Sequence, residues 1–343
     1  MDPFSQTILH WYAENRRDLP WRRTVNPYAV WLSEIILQQT RIAQGTAYWQ
    51  RFMERFPTVE DLAQASEDEV LRLWEGLGYY SRARNLHAAA KQIVAMGSFP
   101  DTMEGIRSLK GVGDYTAAAI GSICFGLSAA VVDGNVYRVL SRHFGIATPV
   151  GTTQAKKEFT ALAQQLLPPE EASAFNQGMM DFGALQCTPQ NPDCAACPLQ
   201  GSCNALRTGR VSLLPVKKAP TAVQERHFNY IFIRCNGCTA IRRRGAGDIW
   251  QGLYEPLVDD NVSENYFSQG FAKNQFSETD FHLLKKGVKH QLTHRLLVAD
   301  FYLWEPSYRP ELPEGYFWIK EAELDRYAKP RLFELLIHEV ITL

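Results

Sequence analysis

Cys187, Cys194, Cys197 and Cys203 fall at C-x6-C-x2-C-x5-C spacing among turn-forming residues. Such a loop can wrap four thiolates around one centre, and both a zinc ion and a [4Fe-4S] cluster take four thiolates. Zinc sites more often come as two short C-x2-4-C knuckles. Only one short pair occurs here, which favours the [4Fe-4S] cluster and leaves zinc as the alternative. A closed four-thiolate site has no open position for substrate, so its expected role is scaffold. Cys235 and Cys238 flank Asn236-Gly237, the signature of a type I′ hairpin turn, and Cys124 reads as packing in an apolar helix.

Two carboxylates stand out for opposite reasons. Glu34 shares a helix face with Val30, Trp31, Leu37 and Gln38. An acid among apolar neighbours has its pKa raised by desolvation, and one there without a task would be costly. Asp133 precedes the helix NVYRVLSR, where it reads as an N-cap whose positive helix end keeps the carboxylate ionised. One protonated acid and one ionised carboxylate form the pair that acid-catalysed cleavage of a glycosidic bond needs. A third feature is the turn Leu109-Lys110-Gly111-Val112-Gly113-Asp114, whose glycines permit positive φ and whose amides open a helix N-terminus, a natural phosphate site.

The elements that must position these groups follow from periodicity. The first two hundred residues read as helices over 27–56, 67–75, 81–96, 114–125, 135–144, 153–167 and 172–186, punctuated by Pro and Gly. Beyond a polar, Pro-interrupted stretch the period turns to two in HFNYIFIRC, CTAIRRR and RLLVADFYLW, and a helix closes the chain. The expected fold is therefore multi-domain. Residues 1–206 form an all-α half, 207–222 a linker and 223–343 an α+β domain. With 343 residues, 45% hydrophobic and 21% charged, the composition is that of soluble globular proteins. The net charge of −1 does not announce a nucleic-acid binder, so DNA binding would rest on local patches and oriented amides. No signal peptide or membrane span is expected, and the seven cysteines then point to metal or redox chemistry rather than a disulfide framework. The expected location is cytoplasmic, of bacterial type and nucleoid-associated.

The hairpin LKGVGDYTA, the following VVDGNVYRVLSR and the four-cysteine tail resemble the helix-hairpin-helix DNA glycosylases of the endonuclease III superfamily. LPWR, NPYAVWLSEIILQQTR, WEGLGYYSRARNLH and FNQGMMDFGALQCTP are similar to its adenine DNA glycosylase branch. The resemblance covers nearly the whole chain. It implies a six-helix module over about 22–132, a cluster module from 1–21 plus 133–206 that carries one [4Fe-4S] cluster, and a Nudix-like C-terminal domain. It also implies a monofunctional base-excision repair enzyme that flips adenine out of 8-oxoguanine:A or G:A mispairs in double-stranded DNA, acting as a monomer. Carried over by position, Glu34 protonates adenine, Asp133 stabilises the sugar cation or bonds to it, and Tyr115 and Asn135 assist. Trp21, Arg22 and Gln177 would line the base pocket, with Gln39 and Tyr79 wedging into the stack beside Gln38 and Gly78. Gly111 and Gly113 would meet phosphates, and Thr293 and His294 would read 8-oxoguanine.

The chain departs from its relatives at two places. Tyr115 stands where lyase members of the superfamily carry a lysine, and tyrosine cannot form a Schiff base. The family's Phe-Ser-His reading motif is Leu292-Thr293-His294 here, which keeps the hydroxyl and imidazole and loses the ring. No R-E-x-x-E-E run follows Glu255, so pyrophosphatase chemistry is not expected. The competing readings are a bifunctional pyrimidine glycosylase-lyase, a non-catalytic redox sensor on DNA and a nucleotide-pool hydrolase. Tyr115, Glu34 and the missing acidic run oppose them in turn.

Overall fold

Polar caps and prolines start most of the helices. In the computed structural model, which describes residues 1–219, 223–259 and 281–343, Asp2 accepts from the Phe4 amide to open α1 (Pro3–Asn15), and Asn26 accepts from the Tyr28 amide to open α2 (Pro27–Leu37). There follow α3 (Ile42–Arg55), α4 (Val59–Gln64), α5 (Glu67–Leu73), capped by Ser66, and α6 (Ser81–Met96). Next are α7 (Met103–Ser108), α8 (Asp114–Phe125), α9 (Gly134–Phe144), α10 (Thr153–Leu166), α11 (Ala172–Leu185) and α12 (Asn204–Arg207). The stretch 27–56, read as helical throughout, breaks between α2 and α3, where Gln39 sits at φ 57°. A left-handed residue cannot continue a right-handed helix, so the chain reverses there.

The chain divides into two compact units, Met1–Gln64 with Asn85–Ala219, and Ala65–Arg84 with Pro220–Leu343. This differs from a division at 206/207 in two respects. Residues 65–84 pack with the C-terminal residues. Residues 207–219, read as linker, are instead built into the first unit: Leu214 is buried, its carbonyl accepts from Arg142 Nε at 3.0 Å, and Val150 N donates to Val216 O at 2.8 Å. A buried guanidinium needs carbonyl acceptors, and this segment supplies one. Of the expected linker, residues 220–222 lie outside the described residues.

The core of the first unit gathers Phe4, Ile8 and Trp11 of α1, Val136 and Leu140 of α9, Phe159 of α10 and Phe175, Met179 and Phe182 of α11. The second unit holds β1 (Gln224–Ile233), β2 (Cys238–Arg243), β3 (Tyr254–Glu255), β4 (Leu257–Asp259), β5 (Phe281–Gln291), β6 (Arg295–Trp304), β7 (Tyr316–Lys320) and α13 (Arg331–Ile341). One sheet runs β4-β1-β6-β5, with β1 and β6 parallel and the other pairs antiparallel; the second runs β3-β2-β7. The alternating inner residues Phe228, Tyr230, Phe232, Leu297, Ala299 and Phe301 meet Leu332, Phe333 and Leu336 of α13. Asn236 and Gly237 both adopt positive φ, and Cys235 and Cys238 exchange reciprocal backbone hydrogen bonds across the turn, as expected of a type I′ hairpin. Among the described residues, no helix is long and apolar enough to cross a membrane.

Candidate active site

A cavity of about 400 Å³ in the first unit is lined by Trp21, Arg22, Glu34, Gln38, Gln39, Tyr115, Asp133, Asn135 and Gln177, along with residues the sequence reading did not single out. This volume lies in the ordinary range for small-molecule sites. The helix break at Gln39 turns the end of α2 toward the cavity, and Gln38 Nε2 lies 3.4 Å from Thr116 Oγ1 on α8. Trp21 is buried edge-on against Trp49, with ring centroids 5.9 Å apart. Gln177 is held by Ser173, its Nε2 donating to the hydroxyl at 3.1 Å.

Glu34 keeps some surface toward the cavity, yet enough protein surrounds it that burial pushes its pKa up to about 7. The nearby Asp133 charge adds to the rise, while a hydrogen bond with Tyr115 and the Arg22 charge oppose it. Burial and the two carboxylates hold the Tyr115 hydroxyl well above its usual range, so it stays protonated. Asp133 caps α9 with its Oδ1, which accepts from the Asn135 and Val136 amides at 2.8 Å each, and its Oδ2 accepts from Asn135 Nδ2 at 2.7 Å. The helix end favours the carboxylate, as expected, yet the Asp133 pKa is raised, because burial outweighs the hydrogen bonds and the charge of Arg138. All three hydrogen-bond partners are donors, which selects the carboxylate form at neutral pH.

Asp181 carries no sequence motif, yet it organises one wall of the cavity. Its side chain is fully buried and accepts from Arg17 Nε at 2.8 Å, Arg17 N at 3.0 Å, and Arg22 Nη1 and Nη2 at 2.6 and 2.8 Å. Burial alone would raise its pKa, but hydrogen bonds from Arg22 and Arg17 win and hold it below the usual value. The signal that would have found it is the one used for Glu34, an acid inside the apolar run FNQGMMDFGALQ.

The remaining candidates lie outside this cavity. Gly111 has φ 79°, and a Cβ there would come within 2.7 Å of Asn85 Cβ, so both conformation and space call for glycine. Gly113 caps α8 and leaves its first amides facing outward. In the second unit, Thr293 and His294 form the exposed two-residue tip between β5 and β6, closed by the Leu292 N to Arg295 O bond at 2.8 Å. Gly78 and Tyr79 lie in a turn with φ 68° and 45°, strapped by Trp74 Nε1 donating to Gly78 O at 3.0 Å and Arg82 Nη2 donating to Leu77 O at 3.1 Å. Tyr79 is 48% exposed, and its hydroxyl lies 2.5 Å from Thr293 Oγ1.

Cys187, Cys194, Cys197 and Cys203 line one small cavity together with Arg142, Pro192 and Leu206. Arg142 Nη1 lies 3.4 Å from Cys187 Sγ and donates to Thr188 O at 2.7 Å. Burial pushes the Cys197 thiol up to about 11, a cost that a positively charged iron core reverses by binding thiolate. Four half-buried cysteines lining one small cavity, with a cation beside one sulfur, fit such a group.

Residues 32–169 match the HhH-GPD superfamily of base excision DNA repair proteins, 187–203 the iron-sulfur binding domain of endonuclease III, and 229–339 the NUDIX domain. The adenine DNA glycosylase of Buchnera aphidicola subsp. Schizaphis graminum is 37% identical over 295 residues, which span 85% of this chain and 84% of that protein. The adenine DNA glycosylase of Homo sapiens is 46% identical over 213 residues, 59% of this chain and 39% of the human protein. The chain thus spans about two fifths of the mammalian relatives it matches. Among solved structures, a thermostable thymine-DNA glycosylase superposes with a TM-score of 0.55 at 31% identity, over 60% of this chain and 95% of that one. Endonuclease III in a non-covalent DNA complex superposes at 0.52 with 24% identity, a likeness of fold. The four-cysteine loop is a [4Fe-4S] site, and the second unit contains a Nudix-like domain.

Proposed function

The chain belongs to the adenine DNA glycosylase family, and from that premise we propose that it hydrolyses the N-glycosidic bond of adenine mispaired with 8-oxoguanine or G in double-stranded DNA. The observation that carries this reading is that a glutamic acid poised near pH 7 and an aspartate held only by donors share one cavity. The adenine is flipped out of the stack into that cavity, beside Trp21, Arg22 and Gln177. Glu34 gives its proton to adenine N7, which makes the base a neutral leaving group as the C1′–N9 bond breaks. Asp133 then faces the oxocarbenium ion, either through space or by bonding to C1′, before water completes the sugar. Asn135, bonded to Asp133, holds that carboxylate in place, and the protonated Tyr115 hydroxyl assists beside Glu34. Tyr115 has no amine, so the product is an intact abasic site.

Gln39 and Tyr79 fill the gap left by the flipped base, flanked by Gln38 and Gly78, and the amides around Gly111 and Gly113 hold phosphates. Thr293 and His294 read the opposite base. Cys187, Cys194, Cys197 and Cys203 would hold the [4Fe-4S] cluster, which when bound would close their loop. In this reading the protein works as a monomer on nucleoid DNA in the cytoplasm. The test is a panel of duplexes carrying A opposite 8-oxoguanine, A opposite G, or thymine glycol, scored for strand breaks with and without alkali. Breaks only after alkali, at A opposite 8-oxoguanine and more slowly at A opposite G, are expected. Breaks without alkali, or excision of thymine glycol alone, would assign the rival lyase function.

A further inference from the structure

Residues 65–84 belong to the C-terminal unit by their packing, and specific polar contacts hold them there. Arg243 Nη2 lies 2.9 Å from Glu67 Oε1 and 3.0 Å from Asp68 Oδ1 at the start of α5. The Tyr254 hydroxyl donates to Asp68 Oδ2 at 3.0 Å. At the other end of the segment, Arg84 Nη1 donates to Gln251 O at 2.6 Å, and between them the Lys329 amide donates to Glu75 Oε1 at 3.0 Å. Between these fastenings the Tyr79 turn meets the Thr293 tip through a pair of hydroxyls.

The ion pairs of Arg243 are about half exposed, and such pairs contribute little to stability. Acids in a first helical turn are also favoured by the helix dipole alone. That bland role would leave their direction open, whereas here Asp68 faces both Arg243 and the hydroxyl of Tyr254, whose side chain is 7% exposed. Fixing both ends of a short segment fixes the register of its middle. We infer that Asp68 and Arg243 are positioning residues that set the Tyr79 turn against the Thr293 tip, so that filling the stack and reading the opposite base occur as one coupled event. This rests on the proposed reading of Thr293 as a base-recognition residue.

The test compares single-turnover excision rates on 8-oxoguanine:A and G:A duplexes for the full-length wild type, Asp68→Ala, Tyr254→Phe, Thr293→Ala and Asp68→Ala with Thr293→Ala. Asp68→Ala should lower the preference for 8-oxoguanine:A by about three- to tenfold, the worth of one or two hydrogen bonds. The double variant should lose little more than Thr293→Ala alone, because residues that act through one contact are not additive. Tyr254→Phe, which removes only a hydroxyl, should reproduce part of the loss even if Asp68→Ala folds poorly. An unchanged preference in Tyr254→Phe and Asp68→Ala, or fully additive losses in the double variant, would overturn the inference. A wild type that excises adenine from neither duplex would instead overturn the proposed function.

Discussion

The cavity around Glu34 and the tip at Tyr79, Thr293 and His294 are built on opposite terms. In the cavity the charged groups are fixed by one another and by amides: Asp181 clamps Arg22 and Arg17, and Asn135 and two amides hold Asp133. At the tip, exposed side chains on two turns meet through a pair of hydroxyls. The difference follows from what each region is proposed to do. Proton transfer to a base needs an acid kept neutral by desolvation, which only a surrounded site provides. Reading a base across a duplex needs side chains that reach outward, and their contacts to protein must be weak enough to exchange for contacts to DNA.

Breaking the enclosed region should have the larger effect. Glu34→Gln keeps the shape and removes the proton, so single-turnover excision should fall by about 10²- to 10⁴-fold while binding to the mispaired duplex persists. Asp133→Asn should cost about 10²- to 10³-fold, since it removes the charge facing the developing cation. Rates within a few-fold of wild type for either variant would mean that the cavity is not the reaction centre.

The same desolvation predicts a pH signature. Glu34 titrates near 7 in the folded chain against 4.5 in a model peptide. The folded state therefore binds the extra proton, and this group's contribution to stability falls as pH rises from 4.5 to 7, then levels off. Glu34→Gln should then unfold at higher denaturant than wild type at pH 8, by on the order of 2 to 3 kcal/mol, with the gain vanishing below about pH 4.5. Wild-type excision, which uses the protonated acid, should fall about tenfold between pH 6 and pH 8. A variant no more stable than wild type at pH 8 would remove burial as the cause of the shift.

The smallest expected effect lies at the tip. Thr293→Ala should leave adenine excision from G:A unchanged and reduce the preference for 8-oxoguanine:A by about three- to tenfold, with His294 retaining the rest. Removing residues beyond Lys217 would be a poorer probe, because residues 65–84 would lose the partners they pack against. If Thr293→Ala slowed excision from both duplexes equally, the exposed tip would be part of general DNA binding, and the contrast with the cavity would dissolve.

Much of this was legible from local pattern. Helix starts at Asn26 and Asp133, the turn at Asn236-Gly237 and the close thiols of the cysteine loop are all properties of short windows, whereas α1 behind Asp2 was not read as a helix. The raised pKa of Glu34 also followed from its helical neighbours. The break at Gln39 was not legible, because a glutamine with positive φ is imposed by packing rather than by its own preference. The cap at Asp133 was legible because it is local, whereas the burial that raises its pKa was not. The alliance of residues 65–84 with the C-terminal residues rests on partners more than 160 positions away, such as Tyr254 for Asp68, and no periodicity encodes that.

The discontinuous second unit sets an order on synthesis. Residues 65–84 leave the ribosome long before their partners, and at about 5 to 20 residues per second the roughly 140 residues between Arg84 and Gln224 take on the order of ten to thirty seconds. During that interval Leu71, Trp74, Leu77 and Tyr80, all buried in the finished protein, belong to a segment whose packing partners have not yet been made. The nascent chain therefore presents a short apolar segment before the strands it packs with exist.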